Sequence, residues 1–257
     1  IKNPSDKKKG KKKSDKNAPK KPAMLEKNVS FNVVESYKSM RTNLLFALST
    51  SENKTFVISS ANPAEGKSTT AVNIAITLAQ GNHRVLLCDG DLRKPVQAAN
   101  FGVKNKKGLS SLLSKMSEIK DCIQSTSIEN LDLLPSGEIP PNPSELLGSA
   151  RMEEVLKQLS ERYDYIIIDA PPINVVSDAL NLSQFIAGII MVVKYGSTTF
   201  DDVDSAMNRV QLADMKHLGF VVNDIEIKHG SGYYSKYGKY QYKYGYGTTE
   251  AKTEEAE

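Results

Sequence analysis

The chain has 257 residues, of which 39% are hydrophobic and 25% are charged, and this is the composition of an ordinary globular protein. Its formal net charge of +4 is unevenly distributed, because residues 1–22 hold ten lysines against two aspartates. These values exclude a collagen-like chain, a low-complexity array and a disulfide scaffold, and the longest apolar run, about nine residues from Phe185 to Val193, is too short to span a bilayer.

The first 28 residues contain Lys, Asn, Ser, Pro and Gly with almost no large apolar side chains. Such a segment cannot bury enough surface to offset the entropy of ordering, so we predict a disordered basic linker at 1–28. Its lysines are either solvated or form a juxtamembrane segment that is attracted to an anionic leaflet. Because the chain begins with Ile1 and not with Met, we expect an engineered boundary or a cut in a longer protein.

Residues 29–227 are predicted to form one α/β domain. Apolar residues at helical spacing predict an amphipathic helix over 31–48. Apolar runs typical of buried strands then alternate with helical patterns, which predicts a mostly parallel β-sheet with helices on both faces. The predicted strands are 55–59, 84–89, 131–134, 164–169, 188–194 and 217–222, and the further predicted helices are 68–80, 150–161, 177–184 and 199–213.

The segment at 61–69 lies between a predicted strand and a predicted helix and has the pattern of a phosphate-binding P-loop, with Ala61 in place of the usual first glycine. Backbone N–H groups and the helix dipole favour a bound phosphate there. In this pattern Gly66 lets the backbone approach, Lys67 reaches the β- and γ-phosphates, and Ser68 binds Mg²⁺. The predicted ATP contacts of the loop are Ala64, Glu65, Gly66, Lys67, Ser68 and Thr69.

Acidic residues follow two further strands, at the carboxyl ends where parallel sheets collect their ligands. Alone, each of these residues could be a helix cap or a loop acid. Beside a P-loop, Asp169 is predicted to hold Mg²⁺ as a Walker B acid, and Asp89 to accept a tyrosine proton. Asp91 would support the metal or position Lys67, and the roles of Asp89 and Asp91 could be exchanged. The predicted metal ligands are Ser68, Asp89 and Asp169.

Residues 228–257 carry seven tyrosines among Gly, Ser and Lys, and then an acidic end. We predict a flexible tail that can extend into an active site and accept phosphate, each phosphate adding about −1.5 to −2 charges. The alternative is a basic aromatic segment that stacks on nucleic-acid bases or lies on a membrane. The predicted acceptors are Tyr233, Tyr234, Tyr237, Tyr240, Tyr242, Tyr244 and Tyr246.

Together these motifs resemble those of the bacterial tyrosine kinases, P-loop proteins that drive capsule and exopolysaccharide assembly. The resemblance implies a P-loop NTPase fold of the MinD/ParA type and an ATP- and Mg²⁺-dependent tyrosine autokinase. It also implies that Asn223 contacts adenine, with loop capping as the alternative. The markers are the loop at 61–69, the motif at 85–93 that continues as Arg93-Lys94-Pro95, the strand motif at 165–172, the stretch from Pro140 to Leu147, and the tyrosine cluster.

The resemblance further implies that copies phosphorylate one another's tails in trans and form rings that separate as phosphate accumulates. The family's contact motif, Glu-x-x-Arg-x-x-Arg, corresponds here to Glu35, Lys38 and Arg41. Lys38 keeps the positive charge of the first arginine but lacks its planar fork for bidentate pairing. The alternative is a plain amphipathic packing helix.

The other partners that the resemblance implies are a transmembrane polysaccharide co-polymerase, which activates the kinase, and a cognate tyrosine phosphatase. No nucleic-acid partner is expected. The expected location is the cytoplasm at the inner face of the cell membrane, through the membrane partner or an N-terminal membrane segment upstream of this chain. Residues 1–28 would then be juxtamembrane or come from a fused activator.

The sequence is also compatible with two alternative functions. A MinD/ParA-like ATPase that positions or scaffolds a partner would share the fold, but such proteins carry a signature lysine where this chain has Asn62, and they give no reason for the tail tyrosines. A scaffold that binds ATP with little kinase activity is the second, and the presence of Lys67, Ser68, Asp89, Asp91 and Asp169 argues against it.

Overall fold

The computed structural model describes residues 29–225, which contain one seven-stranded sheet in the order β3-β4-β2-β5-β1-β6-β7. Neighbouring strands are parallel, except that β3 runs antiparallel to β4. The predicted linker and tyrosine tail lie outside the described residues. The strands are β1 Thr55–Ser60, β2 Val85–Asp89, β3 Gln124–Ser125, β4 Leu131–Leu134, β5 Tyr165–Asp169, β6 Gly188–Lys194 and β7 His217–Asn223.

Helices cover both faces of the sheet, as the sequence predicted. Ten of the thirteen residues of α2 are buried, because this helix lies between the sheet and α1. The opposite face carries a second core in which α7 and α8 take part. The helices are α1 Phe31–Ala47, α2 Lys67–Ala79, α3 Gln97–Phe101, α4 Leu109–Leu113, α5 Ile119–Cys122, α6 Pro143–Leu147, α7 Ala150–Ser160 and α8 Phe200–Leu212.

The central strand β5 shows why the strands are continuously apolar. All five of its residues are buried. Ile167 packs in the core shared with α1 and α2, while Ile166 and Ile168 pack in the core on the other face. A strand that is covered on both sides needs apolar residues at successive positions, since successive side chains point to opposite faces.

The prediction of a helix at 177–184 was wrong, because the structure has a 3₁₀ helix at Leu180–Phe185 instead. The sequence also missed β3 and the four helices α3 to α6. None of these is longer than five residues. Elements this short do not complete two turns, so hydrophobic periodicity cannot identify them. Within the described part of the chain, no helix is both long and apolar enough to cross a membrane.

The isoleucines of this fold allow a matched test of core burial. Ile167 is fully buried in β5, whereas Ile139 is 64% exposed in a loop. We expect Ile167→Ala to lower the free energy of unfolding by about 2–5 kcal/mol through lost burial and a residual cavity. The same truncation at Ile139 should change it by less than about 0.5 kcal/mol. Urea unfolding measures both, and equal losses would contradict this two-sided core.

Candidate active site

The P-loop turns sharply between β1 and α2. Gly66 is the N-cap of α2 with φ of 96°, and Ala64 also has a positive φ, 64°. A Cβ on Gly66 would lie 2.0 Å from Nδ2 of Asn223, so only glycine fits this position. Asn223, at the end of β7, donates from Nδ2 to the Glu65 carbonyl oxygen at 2.9 Å. The end of β7 therefore holds the P-loop backbone through this hydrogen bond.

Glu65 braces the loop through its side chain, which is almost fully buried. Its Oε2 accepts from the backbone N of Asn62 at 3.0 Å, and its Oε1 accepts from Oγ1 of Thr198 at 2.6 Å. The carboxylate is thus occupied within the protein, and only the backbone of Glu65 is left for a phosphate contact. Neither Glu65 nor Asn223 lines the cleft beside the loop, while the other predicted loop contacts do.

The Lys67 ammonium lies between two carboxylates. Its Nζ is 3.1 Å from Oδ2 of Asp91, 3.3 Å from Oδ1 of Asp169 and 3.2 Å from Oγ of Ser68. Burial alone would lower the pKa of this lysine, but the two aspartates outweigh it and raise the pKa above its ordinary value. Lys67 is therefore a permanent cation at the base of the cleft.

Asp89 and Asp169 are register partners in the adjacent parallel strands β2 and β5, and both are fully buried. Oδ2 of Asp89 accepts from the backbone N–H groups of Val96 at 3.1 Å and Gln97 at 2.9 Å, while its Oδ1 has no partner. Burial, reinforced by the charge of Asp169, raises the pKa of Asp89 to about 7. Asp89 thus anchors the segment after β2 through one oxygen.

The three predicted carboxylates therefore differ in their contacts with Lys67 and in their access to the cleft. Asp91 and Asp169 contact Lys67, and Asp91 also lines the cleft. The structure shows no hydrogen bond between Asp89 and Lys67. Asp89 is not among the residues that line the cleft. Its predicted roles as proton acceptor and metal ligand stay predictions.

The donor set suits Mg²⁺ bound together with nucleotide phosphates. Among residues 29–225, no three His, Cys, Asp or Glu side chains form a metal-binding cluster by themselves. Mg²⁺ commonly uses one or two carboxylates plus phosphate oxygens and water. The Ser68 hydroxyl, the Asp169 carboxylate and the orphan oxygen of Asp89 at the carboxyl edge of the sheet fit that chemistry.

A cleft of about 820 Å³ opens beside the P-loop. Its lining residues include the charged Lys67 and Asp91 and the apolar Pro171, Pro172 and Val175. Its walls come from segments that follow three different strands, because the carboxyl ends of parallel strands meet at one edge of the sheet. The cleft thus combines a charged base with an apolar wall.

Two further contributions were missed from the sequence. Gln97 is fully buried and donates to Asp169. Arg93 forms a bidentate pair with Asp178, with Nε at 2.7 Å and Nη2 at 3.0 Å, and Ser144 of α6 donates to the same carboxylate. Arg93 stood in the motif quoted from the sequence, but its partner is 85 residues away, so no local pattern could identify it.

The predicted oligomer motif lies on α1. Glu35 and Lys38 form an ion pair at 2.7 Å with both side chains partly exposed. Arg41 instead donates to the Thr77 carbonyl oxygen at 2.9 Å, near the end of α2. The first two residues are accessible to a partner, while the third is engaged in helix packing, and the interface stays a prediction.

Gly66 provides a test of the loop geometry. We expect Gly66→Ala to weaken ADP binding and to destabilise the protein, since a Cβ combines a left-handed φ with a collision against Asn223. Gly196→Ala is the control, because it has φ of 70° but no atom near its Cβ. Calorimetric ADP titration and thermal unfolding measure the difference. Asn223→Ala in the Gly66→Ala background should restore part of the loss, and equal costs for the two glycines would contradict the collision.

The Arg93–Asp178 pair gives a prediction of pH dependence. Burial would raise the pKa of Asp178, but the donors Arg93 and Ser144 lower it below its ordinary value. A lowered pKa means that the stabilisation is present above about pH 4 and is lost as the pH falls further.

We therefore expect Asp178→Asn to cost about 1–3 kcal/mol of unfolding free energy at pH 7. The difference in unfolding free energy between this variant and the unmodified chain should become smaller below about pH 4. Denaturant unfolding at several pH values measures this difference. Asp164→Asn is the control, since Asp164 pairs with Arg84 at the surface and should cost much less. A gap that widens on acidification would refute the assignment.

A family model described as an AAA domain matches residues 53–217. The chain is 41% identical to the tyrosine-protein kinase YwqD of Bacillus subtilis over 202 residues, covering 78% of this chain and 85% of YwqD. It is 36% identical to the tyrosine-protein kinase Wzc of Salmonella typhimurium over 211 residues, covering 82% of this chain but only 29% of Wzc.

Solved structures agree with these relatives. The chimerical protein CapA2B2 matches with a TM-score of 0.71 at 41% identity, covering 74% of this chain and 84% of CapA2B2. MinD of Pyrococcus horikoshii in complex with Mg-ADP, with a TM-score of 0.58 at 24% identity, shares the fold alone. The MinD/ParA-type fold and the resemblance stated from the motifs are both confirmed. The chain belongs to the family of bacterial tyrosine-protein kinases.

Proposed function

We propose that this chain uses ATP to phosphorylate tyrosines, and that the acceptors are the tyrosines of segment 228–257 in a neighbouring copy. The observation that carries the proposal is the position of the Lys67 ammonium, held between Asp91 and Asp169 at the base of a cleft beside the P-loop. Family membership supports the reaction type. The apolar wall at Pro171, Pro172 and Val175 suits an aromatic acceptor side chain.

The protein's part in the reaction is positioning and charge. The loop backbone and Lys67 would hold the β- and γ-phosphates of ATP, while Ser68 and Asp169 would hold Mg²⁺. The metal supplies neutralisation of the negative charge on the phosphate oxygens. The tyrosine oxygen forms a bond to the γ-phosphorus, the bond from that phosphorus to the bridging oxygen breaks, and ADP leaves with the electron pair.

The phenolic proton needs an acceptor at this step, since the hydroxyl has a pKa near 10 and arrives protonated. The sequence left Asp89 and Asp91 exchangeable in this role. Asp91 lines the cleft and is 5% exposed, although its Oδ1 accepts from the backbone N of Lys94 at 3.0 Å. Asp89 does not line the cleft, has no exposed surface and holds the backbone of Val96 and Gln97. We therefore assign the proton to Asp91 and the support of the site to Asp89.

Transfer between copies is the finer part of the proposal. The tail follows β7, whose last residue, Asn223, contacts the P-loop of the same chain. Tyr233 is ten residues further on, and an extended chain of that length reaches roughly 33 Å. Length alone therefore permits transfer within one copy, and experiment must separate the two routes.

The proposal also includes the partners of the kinase and the process that it regulates. Self-association would use the exposed Glu35 and Lys38 of α1. A transmembrane polysaccharide co-polymerase would activate the kinase at the inner face of the membrane, a phosphatase would reset the tail, and capsule or exopolysaccharide polymerisation would be the regulated process. Accumulated phosphate would reverse the charge of the basic tail and separate the copies.

The test is phosphate mapping on the full chain incubated with Mg-ATP. We expect tyrosine phosphate on segment 228–257, and its loss in Lys67→Met, because the cation that meets the phosphates is removed. Lys157→Met is the matched control, since this lysine is exposed on α7. Peptide mass spectrometry reads the phosphate. Hydrolysis of ATP without any phosphotyrosine would favour the MinD/ParA-like ATPase instead.

A mixture separates the routes of transfer. Lys67→Met protein retains its tail, and a variant ending at residue 227 retains its active site. Transfer between copies predicts phosphate on the Lys67→Met chain in the mixture. Phosphate on unmixed wild-type chains together with an unlabelled Lys67→Met chain in the mixture would establish transfer within one copy.

A further inference from the structure

Gln97 begins α3 and contacts three elements of the site, although it is fully buried beneath the cleft. Its Nε2 donates to Oδ2 of Asp169 on β5 at 2.7 Å and to the carbonyl oxygen of Ser68 on α2 at 3.2 Å. Its backbone N donates to Oδ2 of Asp89 on β2 at 2.9 Å. One residue thus links the P-loop helix with both acidic strands.

The two oxygens of Asp169 have different partners. Oδ2 accepts from Gln97, while Oδ1 lies 3.3 Å from the Lys67 ammonium on the P-loop side. A carboxylate that is held through one oxygen by a buried neutral donor cannot rotate freely about its terminal torsion. The rotation of the Asp169 carboxylate is therefore restrained by Gln97 together with Lys67 and Ser68.

The amide of Gln97 is itself oriented. Nδ2 of Asn100 donates to Oε1 of Gln97 at 2.9 Å. An amide carries its donor and its acceptor on opposite atoms, so this bond directs the NH₂ group toward Asp169. A flipped amide would place two donors against each other at Asn100 and two acceptors against each other at Asp169. The chain Asn100–Gln97–Asp169 therefore has one consistent arrangement of hydrogen bonds.

We propose that Gln97 is a positioning residue that fixes the rotation of the Asp169 carboxylate and so presents Oδ1 to the metal of a metal–nucleotide complex. The proposal rests on the metal-binding role proposed above for Asp169. Gln97 touches neither phosphate nor metal in this arrangement. It acts as the partners of metal ligands commonly do, by orienting the ligand through its second polar atom.

The test is the Mg²⁺ dependence of nucleotide binding, measured on the full chain with a fluorescent ADP derivative. Gln97→Met nearly conserves side-chain volume but removes the donor. The Mg²⁺ concentration for half-maximal enhancement of ADP binding is expected to rise about tenfold to hundredfold. ADP affinity without Mg²⁺ should fall by a clearly smaller factor, because there the variant loses only the 3.2 Å contact of Nε2 with the Ser68 carbonyl oxygen.

Two controls separate positioning from stability and from the proposed function. Tyr163→Phe removes a bond of 2.8 Å to Asp132 outside the site, and should leave the Mg²⁺ dependence unchanged. Asp169→Asn should abolish the Mg²⁺ enhancement, and its failure to do so would remove the proposed metal role itself. If Asp169→Asn abolishes the enhancement while Gln97→Met matches wild type, the Gln97 proposal alone is overturned.

A second variant covers the case in which Gln97→Met does not fold. Asn100→Ala leaves Gln97 in place but removes the bond that orients its amide. It should shift the Mg²⁺ dependence in the same direction, by a smaller factor than Gln97→Met. An unchanged Mg²⁺ half-saturation in folded Asn100→Ala protein would then overturn the proposal.

Discussion

The buried contact of the Lys67 ammonium with Asp91 and Asp169 is the interaction on which the rest of the site depends. Charges removed from water are costly unless they are paired and hydrogen-bonded. Here one cation faces two carboxylates, and a third, Asp89, lies beside them with one unpartnered oxygen. Burial raises the pKa of both Asp89 and Asp169, so a proton and a metal ion compete for these carboxylates. Binding of a divalent cation together with a nucleotide should therefore be coupled to local stability.

The sheet makes such a concentration of charge possible. Asp89 and Asp169 end adjacent parallel strands in direct register, which places their carboxylates side by side. The continuous apolar runs before them are buried on both faces and hold the strands in place. Apolar burial along these strands thus offsets the unfavourable free energy of placing like charges together. The same edge supplies the apolar residues that line the cleft together with Lys67.

Around this cluster, neutral donors do the positioning. Asn223 holds the P-loop backbone, Thr198 holds Glu65, and Gln97 holds Asp169. A neutral amide or hydroxyl can orient a carboxylate without cancelling its charge. The charged residues of the site are thus distinct from the neutral residues that orient them.

The sequence by itself determined the α/β class, the main strands and longer helices, the P-loop and the acids that follow two strands, because each of these is written in a local period or motif. It could not determine the contacts of Gln97 with Asp169 or of Arg93 with Asp178, which join residues 72 and 85 positions apart. Nor could it determine the different hydrogen-bond partners of Asp89 and Asp91, which are close neighbours in the chain. Only the tertiary structure decided these points, because hydrogen bonding and desolvation depend on which distant segments the sheet brings to one edge.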